Sequence, residues 1–247
     1  MQRIFHTPEG VRDIYSQECS RKQKLQEKLH RVFHQYGFED IETPTFEYFE
    51  VFSKEVGTIP SRELYKFFDR EGNTLVLRPD FTPSVSRACA TYFNPEKEVV
   101  SLCYTGNTFI NNSSFRGRLK ETTQMGVERM GDDSPEADAE ILAMTVECLL
   151  ATGLTEFQVS VGQVDYYKAI FAQTGMSQEE EEELRELISQ KNYFGVEELV
   201  KNKNMDKSLA RVLSQLPQMF GSTEVLEKAK SLTDNPQALK ADRKSVV

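Results

Sequence analysis

The sequence has no tryptophan and only three histidines in 247 residues. It has no apolar run near the roughly 18–20 residues that cross a bilayer. The polar start Met1-Gln2-Arg3 has none of the pattern of a secretory leader. A cytosolic protein with no membrane partner is therefore expected. No Cys-x-x-Cys occurs; Cys19, Cys89, Cys103 and Cys148 are 70, 14 and 45 residues apart. Four scattered cysteines in a chain this long read as small buried hydrophobes, not as a disulfide framework or a zinc site. Gly-x-Gly-x-x-Gly, the P-loop and Gly-x-Ser-x-Gly are all missing, which removes the usual nucleotide cradles and the nucleophile elbow.

What is present suits a globular chain: 38% hydrophobic, 28% charged, with 16 Phe and 9 Tyr. That is enough for one substantial core, or a domain with a smaller appendage. The net charge of −9 is unevenly placed. Residues 1–130 carry 18 basic and 18 acidic side chains, whereas residues 131–247 carry 12 and 21. Phosphate neutralisation supplies most nucleic-acid affinity, so the second half disfavours a polyanion and no nucleic-acid partner is expected. His30 and His34 have the i, i+4 spacing of a metal-binding pair, but Arg31 stands where a zincin carries its glutamate. With no third donor evident nearby, they read as a solvated helix face, and no metal or cofactor is expected.

Helical periodicity runs from Glu18 to Tyr36, with Gly37 as the stop. Phe38 to Thr43 reads as extended, ended by Pro44. Phe67-Phe68 and Thr74–Leu77 flank a glycine-containing turn and predict a hairpin. A short helix is expected over 83–92, a buried strand over 99–104, a second strand starting at Thr108, and a returning strand from Leu119 to Met130. Ser134-Pro135-Glu136 opens a further helix, and Phe157–Val161 alternates as a strand. Beyond Gly175, Ser177-Gln178-Glu179-Glu180 is a capping box. Short helices are expected at 178–191, 195–203, 207–215 and 222–232.

Gln124, Gly126 and Glu128 share one face of their strand by period-two spacing. With Asp80 they form a set of polar side chains able to receive an α-amino group or another small cation. The alternative is structural: Asp80 and Glu128 as strand-end ion pairs with Arg78, Arg87 or Arg129.

Four segments in succession carry a resemblance. They are Thr7-Pro8-Glu9-Gly10-Val11-Arg12-Asp13, Tyr36 to Pro44, Leu77-Arg78-Pro79-Asp80-Phe81-Thr82, and Gln124-Met125-Gly126-Val127-Glu128. In order and spacing, from Thr7 to about Gln163, the chain resembles histidyl-tRNA synthetase and its non-catalytic relatives. The resemblance implies an α+β fold: a class II aminoacyl-tRNA synthetase-like antiparallel sheet flanked by helices, incomplete, with a C-terminal helical insertion subdomain. The expected division is 1–174 for the synthetase-like part, 175–235 for the helical insertion and 236–247 for a tail. The segment around Pro44 would be motif 1, the dimer-forming element, and Tyr104 to Glu128 would be motif 2.

Three departures redirect the function. A synthetase opens motif 2 with Phe-Arg-x-Glu, and this chain has Phe109-Ile110-Asn111-Asn112. Isoleucine cannot bridge the ATP α-phosphate and the amino-acid carboxylate during adenylation. Asn112 replaces the acid, Thr122 replaces an aromatic that stacks on adenine, and Arg118 remains as one cation in a degenerate loop. Asp80-Phe81-Thr82 stands where synthetases have Glu-Gly-Thr, and it looks like the regulatory subunits of ATP phosphoribosyltransferase in histidine biosynthesis. No Gly-Gly-Arg-Tyr-Asp-like segment or motif 3 arginine occurs before Val247, so the chain reads as shortened. The resemblance thus implies a non-catalytic subunit in a hetero-oligomer with the catalytic ATP phosphoribosyltransferase subunit, and a homodimer through residues 38–52. L-histidine is its candidate ligand, with the α-amino group at Asp80, Thr82, Gln124 and Glu128. The alternatives are a divergent or fragmentary histidyl-tRNA synthetase and a free-standing amino-acid-binding module. Ile110 and the acidic second half weigh against the first.

Overall fold

A computed structural model describes residues 5–53, 59–112, 117–162, 164–203 and 205–241 of the chain. Two compact units divide it: Met1–Asp133 with Glu140–Phe157, and Ser134–Ala139 with Gln158–Val247.

The first unit holds two small sheets. Helix α1 (Ser16–Gln35) is followed by β1 (Glu39–Asp40), β2 (Phe46–Tyr48), α2 (Glu50–Ser53), β3 (Lys66–Phe68), β4 (Thr74–Leu77) and α3 (Thr82–Tyr92). Two ten-residue strands, β5 (Val100–Phe109) and β6 (Glu121–Met130), then form an antiparallel ribbon. Helix α4 spans Pro135–Thr152. One sheet has the order β1-β5-β6, with β1 parallel to β5; the other has the order β2-β4-β3, all antiparallel.

Local chemistry accounts for these elements. Gly37, at φ +78°, closes α1, and Val32 and Phe33 are buried beside Phe38, Cys103 and Met144. In the β3–β4 turn, Asp69 Oδ1 accepts from the backbone N–H of Asn73 at 2.7 Å and of Glu71 at 3.1 Å. Ser134 Oγ accepts from Ala137 N–H at 3.2 Å, the cap expected at the start of α4. Phe81, Val85, Cys89, Val100, Leu102 and Tyr104 pack together between α3 and the ribbon.

Two expectations fail here. The strands predicted at 99–104 and from Thr108 are one continuous β5. Gly106 stands mid-strand opposite Gln124, and its lack of a side chain serves close packing instead of a turn. Phe157–Val161 is not a strand. Among the described residues no strand runs beside it, so its backbone lacks a ladder, and Phe157, Val159 and Val161 are exposed.

The second unit is helical: α5 (Val164–Phe171), α6 (Gln178–Ser189), α7 (Tyr193–Asn202), α8 (Lys207–Gln215), α9 (Glu224–Leu232) and α10 (Pro236–Ala241). The capping box is formed, with the Ser177 and Glu180 side chains each bonded to the other's backbone. The core includes Ile170, Phe171, Leu184, Val196, Leu213 and Ala238. The division falls ahead of the boundary expected after residue 174, because α5 lines this core. Residues 236–241 are likewise not a tail: Asn235 Nδ2 donates to the Ala169 carbonyl at 2.9 Å and leads α10 into the same cluster. The remaining tail residues, 242–247, lie outside the described residues. Among the described residues no helix is long and apolar enough to cross a membrane.

Candidate functional site

The β5–β6 register sorts the ribbon into two faces. Leu102 opposes Glu128, Tyr104 opposes Gly126, Gly106 opposes Gln124, and Thr108 opposes Thr122. Pleating places these eight on one face, the face that α3 covers through Phe81 and Val85. Cys103, Met125 and Val127 occupy the other, against α1 and α4.

On the α3 face the residues singled out from sequence largely converge. Thr82 Oγ1 donates to Glu128 Oε1 at 2.6 Å, and the Tyr104 phenol lies close enough for Thr82 and Glu128 to act on it. Asp80, two residues ahead of α3, accepts from the Phe81 N–H at 2.7 Å and is close enough for its charge to act on Glu128 and Tyr104. Burial pushes the Glu128 carboxyl above the ordinary glutamate range and Asp80 adds to it; the bond from Thr82 and the nearby Tyr104 phenol partly offset this. Burial likewise drives the Tyr104 phenol upward, so it remains a neutral hydrogen-bonding group.

The ion-pair alternative does not describe this site. Arg78 donates to backbone carbonyls of Thr43 and Asn107, both at 2.8 Å. Arg87 pairs with Glu47 at 2.7 Å, and Arg129, on the opposite face, pairs with Glu140. Two carboxylates, one of them desolvated, are thus left beside a hydroxyl and a phenol. That arrangement suits a small hydrogen-bonding cation such as an ammonium group, which would offset the burial of Glu128.

Two aromatics missed in the sequence reading shape the cluster. The Phe81 and Tyr104 rings stack at 4.3 Å and 11°, and the Arg78 guanidinium lies 4.1 Å from the Phe81 centroid. Glycine on the ribbon makes this possible. A Cβ on Gly126 would sit 2.4 Å from Tyr104 Oη, and one on Gly106 would sit 2.6 Å from the Arg78 guanidinium. Parity along β6 groups Gly126 with Gln124 and Glu128, but only the β5–β6 register brings Tyr104 to them.

The remaining residues lie toward the loop end of the ribbon. Ile110 N–H donates to the Lys120 carbonyl at 2.9 Å, extending the ladder past Thr108. Asn112 Nδ2 donates to the Leu119 carbonyl at 3.4 Å, and its Oδ1 is buried with no partner among the described residues. Arg118 is exposed. Phe115 and Arg116 lie outside the described residues.

The two helical histidines are not a merely solvated face. His30 Nε2 and His34 Nε2 each meet one oxygen of Asp40, at 2.6 and 3.0 Å. These bonds, that to His30 foremost, hold the Asp40 carboxyl below its usual range. Cys103 Sγ lies 3.4 Å from Asp40 Oδ1.

A testable pH dependence follows from Glu128. Its folded-state pKa is raised, so its contribution is fully present below the unfolded glutamate value and is lost as pH rises through the folded one. Glu128→Gln cannot ionise. It should therefore gain stability relative to the parent between about pH 4 and pH 7, bracketing the ~4.3 of free glutamate. Urea midpoints of both proteins at the two pH values measure this, and an unchanged gap contradicts the burial argument.

Comparison with known proteins adds the following. The family model described as Histidyl-tRNA synthetase matches residues 10–246. The chain is 41% identical over 237 residues to a protein of Acetivibrio thermocellus named ATP phosphoribosyltransferase regulatory subunit, covering 96% of this chain and 57% of that protein. A Clostridium acetobutylicum protein of the same name is 38% identical, covering 97% and 59%. The chain thus spans well under two-thirds of the length of these curated relatives. A Bacillus halodurans C crystal structure, described as an ATP phosphoribosyltransferase regulatory subunit/histidyl-tRNA synthetase, superposes with a TM-score of 0.88 at 30% identity, covering 98% and 63%. A histidine–tRNA ligase subunit from Alicyclobacillus acidocaldarius superposes at 0.72 with 21% identity, covering 96% and 72%, and bears on the fold alone.

Proposed function

The chain belongs to the histidyl-tRNA synthetase family, with an α+β fold of the class II synthetase type, and from that premise we propose that it acts as a non-catalytic regulatory subunit of ATP phosphoribosyltransferase. One observation carries the proposal: relatives 37–41% identical across nearly the whole chain bear that name. The sequence agrees with it. On the resemblance to synthetases, Ile110 stands where they carry the adenylating arginine, and Asn112 and Thr122 where they carry the acid and the aromatic. The work proposed for the chain is cytosolic and conformational: it joins the catalytic subunit, supports histidine biosynthesis and passes on feedback inhibition by L-histidine. Such inhibition requires histidine to bind one state of the assembly more tightly than another. Asp80, Thr82, Gln124 and Glu128 are the proposed amino-group end of that site.

Mixing the chain with a catalytic ATP phosphoribosyltransferase subunit tests this. The expected result is a co-migrating complex with a faster condensation of ATP and phosphoribosyl pyrophosphate, slowed again by histidine. Absence of both complex and rate change overturns the proposal. Histidine-dependent ATP–pyrophosphate exchange above background overturns the non-catalytic part and favours the synthetase alternative.

Self-association is proposed through residues 38–52, and β2 supplies the support. Its polarity is inverted: Glu47 is buried and paired with Arg87, while Phe46 and Tyr48 are 51% and 54% exposed. Register places Tyr48, Leu75 and Phe67 side by side, and the Phe46 and Phe67 rings meet edge-on at 5.7 Å. An apolar sheet face of this kind is a docking surface. A Phe46→Lys/Tyr48→Lys double variant should therefore be monomeric by light scattering at concentrations where the parent is dimeric. A parent that is monomeric at tens of micromolar, a range in which ordinary dimers persist, contradicts the interface.

A further inference from the structure

We propose that His30, His34, Asp40 and Cys103 form a binding site for a divalent transition metal ion of the zinc class. One donor atom from each of the four lies within 4.8 Å of all the others. Three elements bring them together. His30 and His34 are successive turns of α1, and their rings are 4.1 Å apart. Asp40 belongs to β1 and stands in register with Cys103 of the parallel strand β5. Backbone geometry fixes that pairing, because the Ile41 N–H donates to the Cys103 carbonyl at 2.9 Å.

Convergence distinguishes this group from a surface ion pair. Both imidazoles aim Nε2 at the same carboxylate, one at each oxygen. The thiol, fully buried, approaches that carboxylate from the sheet side. The four donors therefore face a common point from a helix above and a sheet below. Two imidazoles, one carboxylate and one thiolate are a mixed N/O/S set of the kind tetrahedral zinc takes, with bonds of about 2.0–2.3 Å. Such bonds bring donors to roughly 3.4–3.8 Å of one another. From the present spacing the two His–Asp40 contacts, at 2.6 and 3.0 Å, would open while the widest separations, up to 4.8 Å, close, and both imidazoles are partly exposed at the surface. Glu27 and Glu42 line the same surface depression as His30 and Asp40, which makes the approach electronegative. On binding, the Cys103 S–H bond is replaced by a sulfur–metal bond and its proton passes to solvent; the imidazoles bind neutral. The two anionic donors then balance the charge of the ion.

The test uses the full chain after chelator treatment, titrated with zinc by calorimetry and with cobalt(II) by absorption. One ion per chain is expected, with visible cobalt bands of tetrahedral intensity and a near-ultraviolet sulfur-to-cobalt band. His30→Gln and Asp40→Asn should each weaken affinity tenfold or more; both sites are exposed enough to leave folding intact, as circular dichroism would verify. His6→Gln, which changes the chain's third histidine, should leave affinity unchanged. Binding that is non-saturable, or that is insensitive to His30→Gln and Asp40→Asn, overturns the site. A cobalt complex without the sulfur band overturns the assignment of Cys103 as a ligand.

Discussion

Replacing Arg78 with methionine lowers the stability of the sheet-bearing unit by about 3 kcal/mol, since each buried carbonyl stripped of its donor costs ~1–3 kcal/mol. Arg78 is only 7% exposed. Its guanidinium donates to Thr43 and Asn107 carbonyls at 2.8 Å and to Pro44 at 3.4 Å, and its plane covers Phe81. Burial of the cation is itself costly, which is why its pKa is lowered, and methionine recovers that cost while filling similar volume. Replacing a buried ion pair by apolar residues is often neutral because both partners leave together. Here the acceptors belong to the backbone and stay behind. Arg78→Lys should fall between the two, since an ammonium is a point charge and cannot span carbonyls on both sides of the fork. Denaturant unfolding followed by tyrosine circular dichroism measures the effect. A loss below about 1 kcal/mol, the net worth of one ordinary hydrogen bond, would show that water replaces the guanidinium.

Gly126→Ala should be nearly as damaging, by about 1–3 kcal/mol for overpacking in a filled core, and should abolish the histidine binding proposed for the Asp80/Glu128 cluster. The added methyl would lie 2.4 Å from Tyr104 Oη and 2.6 Å from Cζ. A loose ring would swing aside cheaply. This ring is buried and stacked on Phe81, with Thr82 and Glu128 close by, so it moves only by disturbing the cluster. Tyr104→Ala removes the obstacle, and the double variant should then be less destabilised than the two single changes added together. Strict additivity in that cycle would refute the steric account.

Much of the frame is legible in the residues. The β3–β4 hairpin, α1 with its glycine stop, β6 and the capped start of α6 are local signals, and they appear where periodicity and capping put them. The errors share a different origin. Gly106 looks like a break because a sequence cannot show that a guanidinium and a phenyl ring need the space above it. Phe157–Val161 alternates like a strand, but alternation does not supply a neighbour to pair with. Glu47 and its aromatic neighbours have inverted burial because Arg87, 40 residues away, meets the acid inside. Asp80, Thr82 and Glu128 could be grouped from a resemblance and a parity, whereas Tyr104 needed the register. The donors around Asp40 were out of reach for the same reason: Cys103 stands 63 residues from it in sequence, and only strand pairing unites them.

The bonds of Arg78 also bear on the order in which the chain assembles. They close loops of 35 residues back to Thr43 and 29 residues forward to Asn107. Closure on this scale is entropically costly until other contacts have gathered the segments. The guanidinium can lock in place only after β4 and β5 have docked, so it acts as a late fastener. Its stabilisation should then fall mainly on the escape rate from the native state: variants at Arg78 should unfold faster while collapsing at nearly the parental speed.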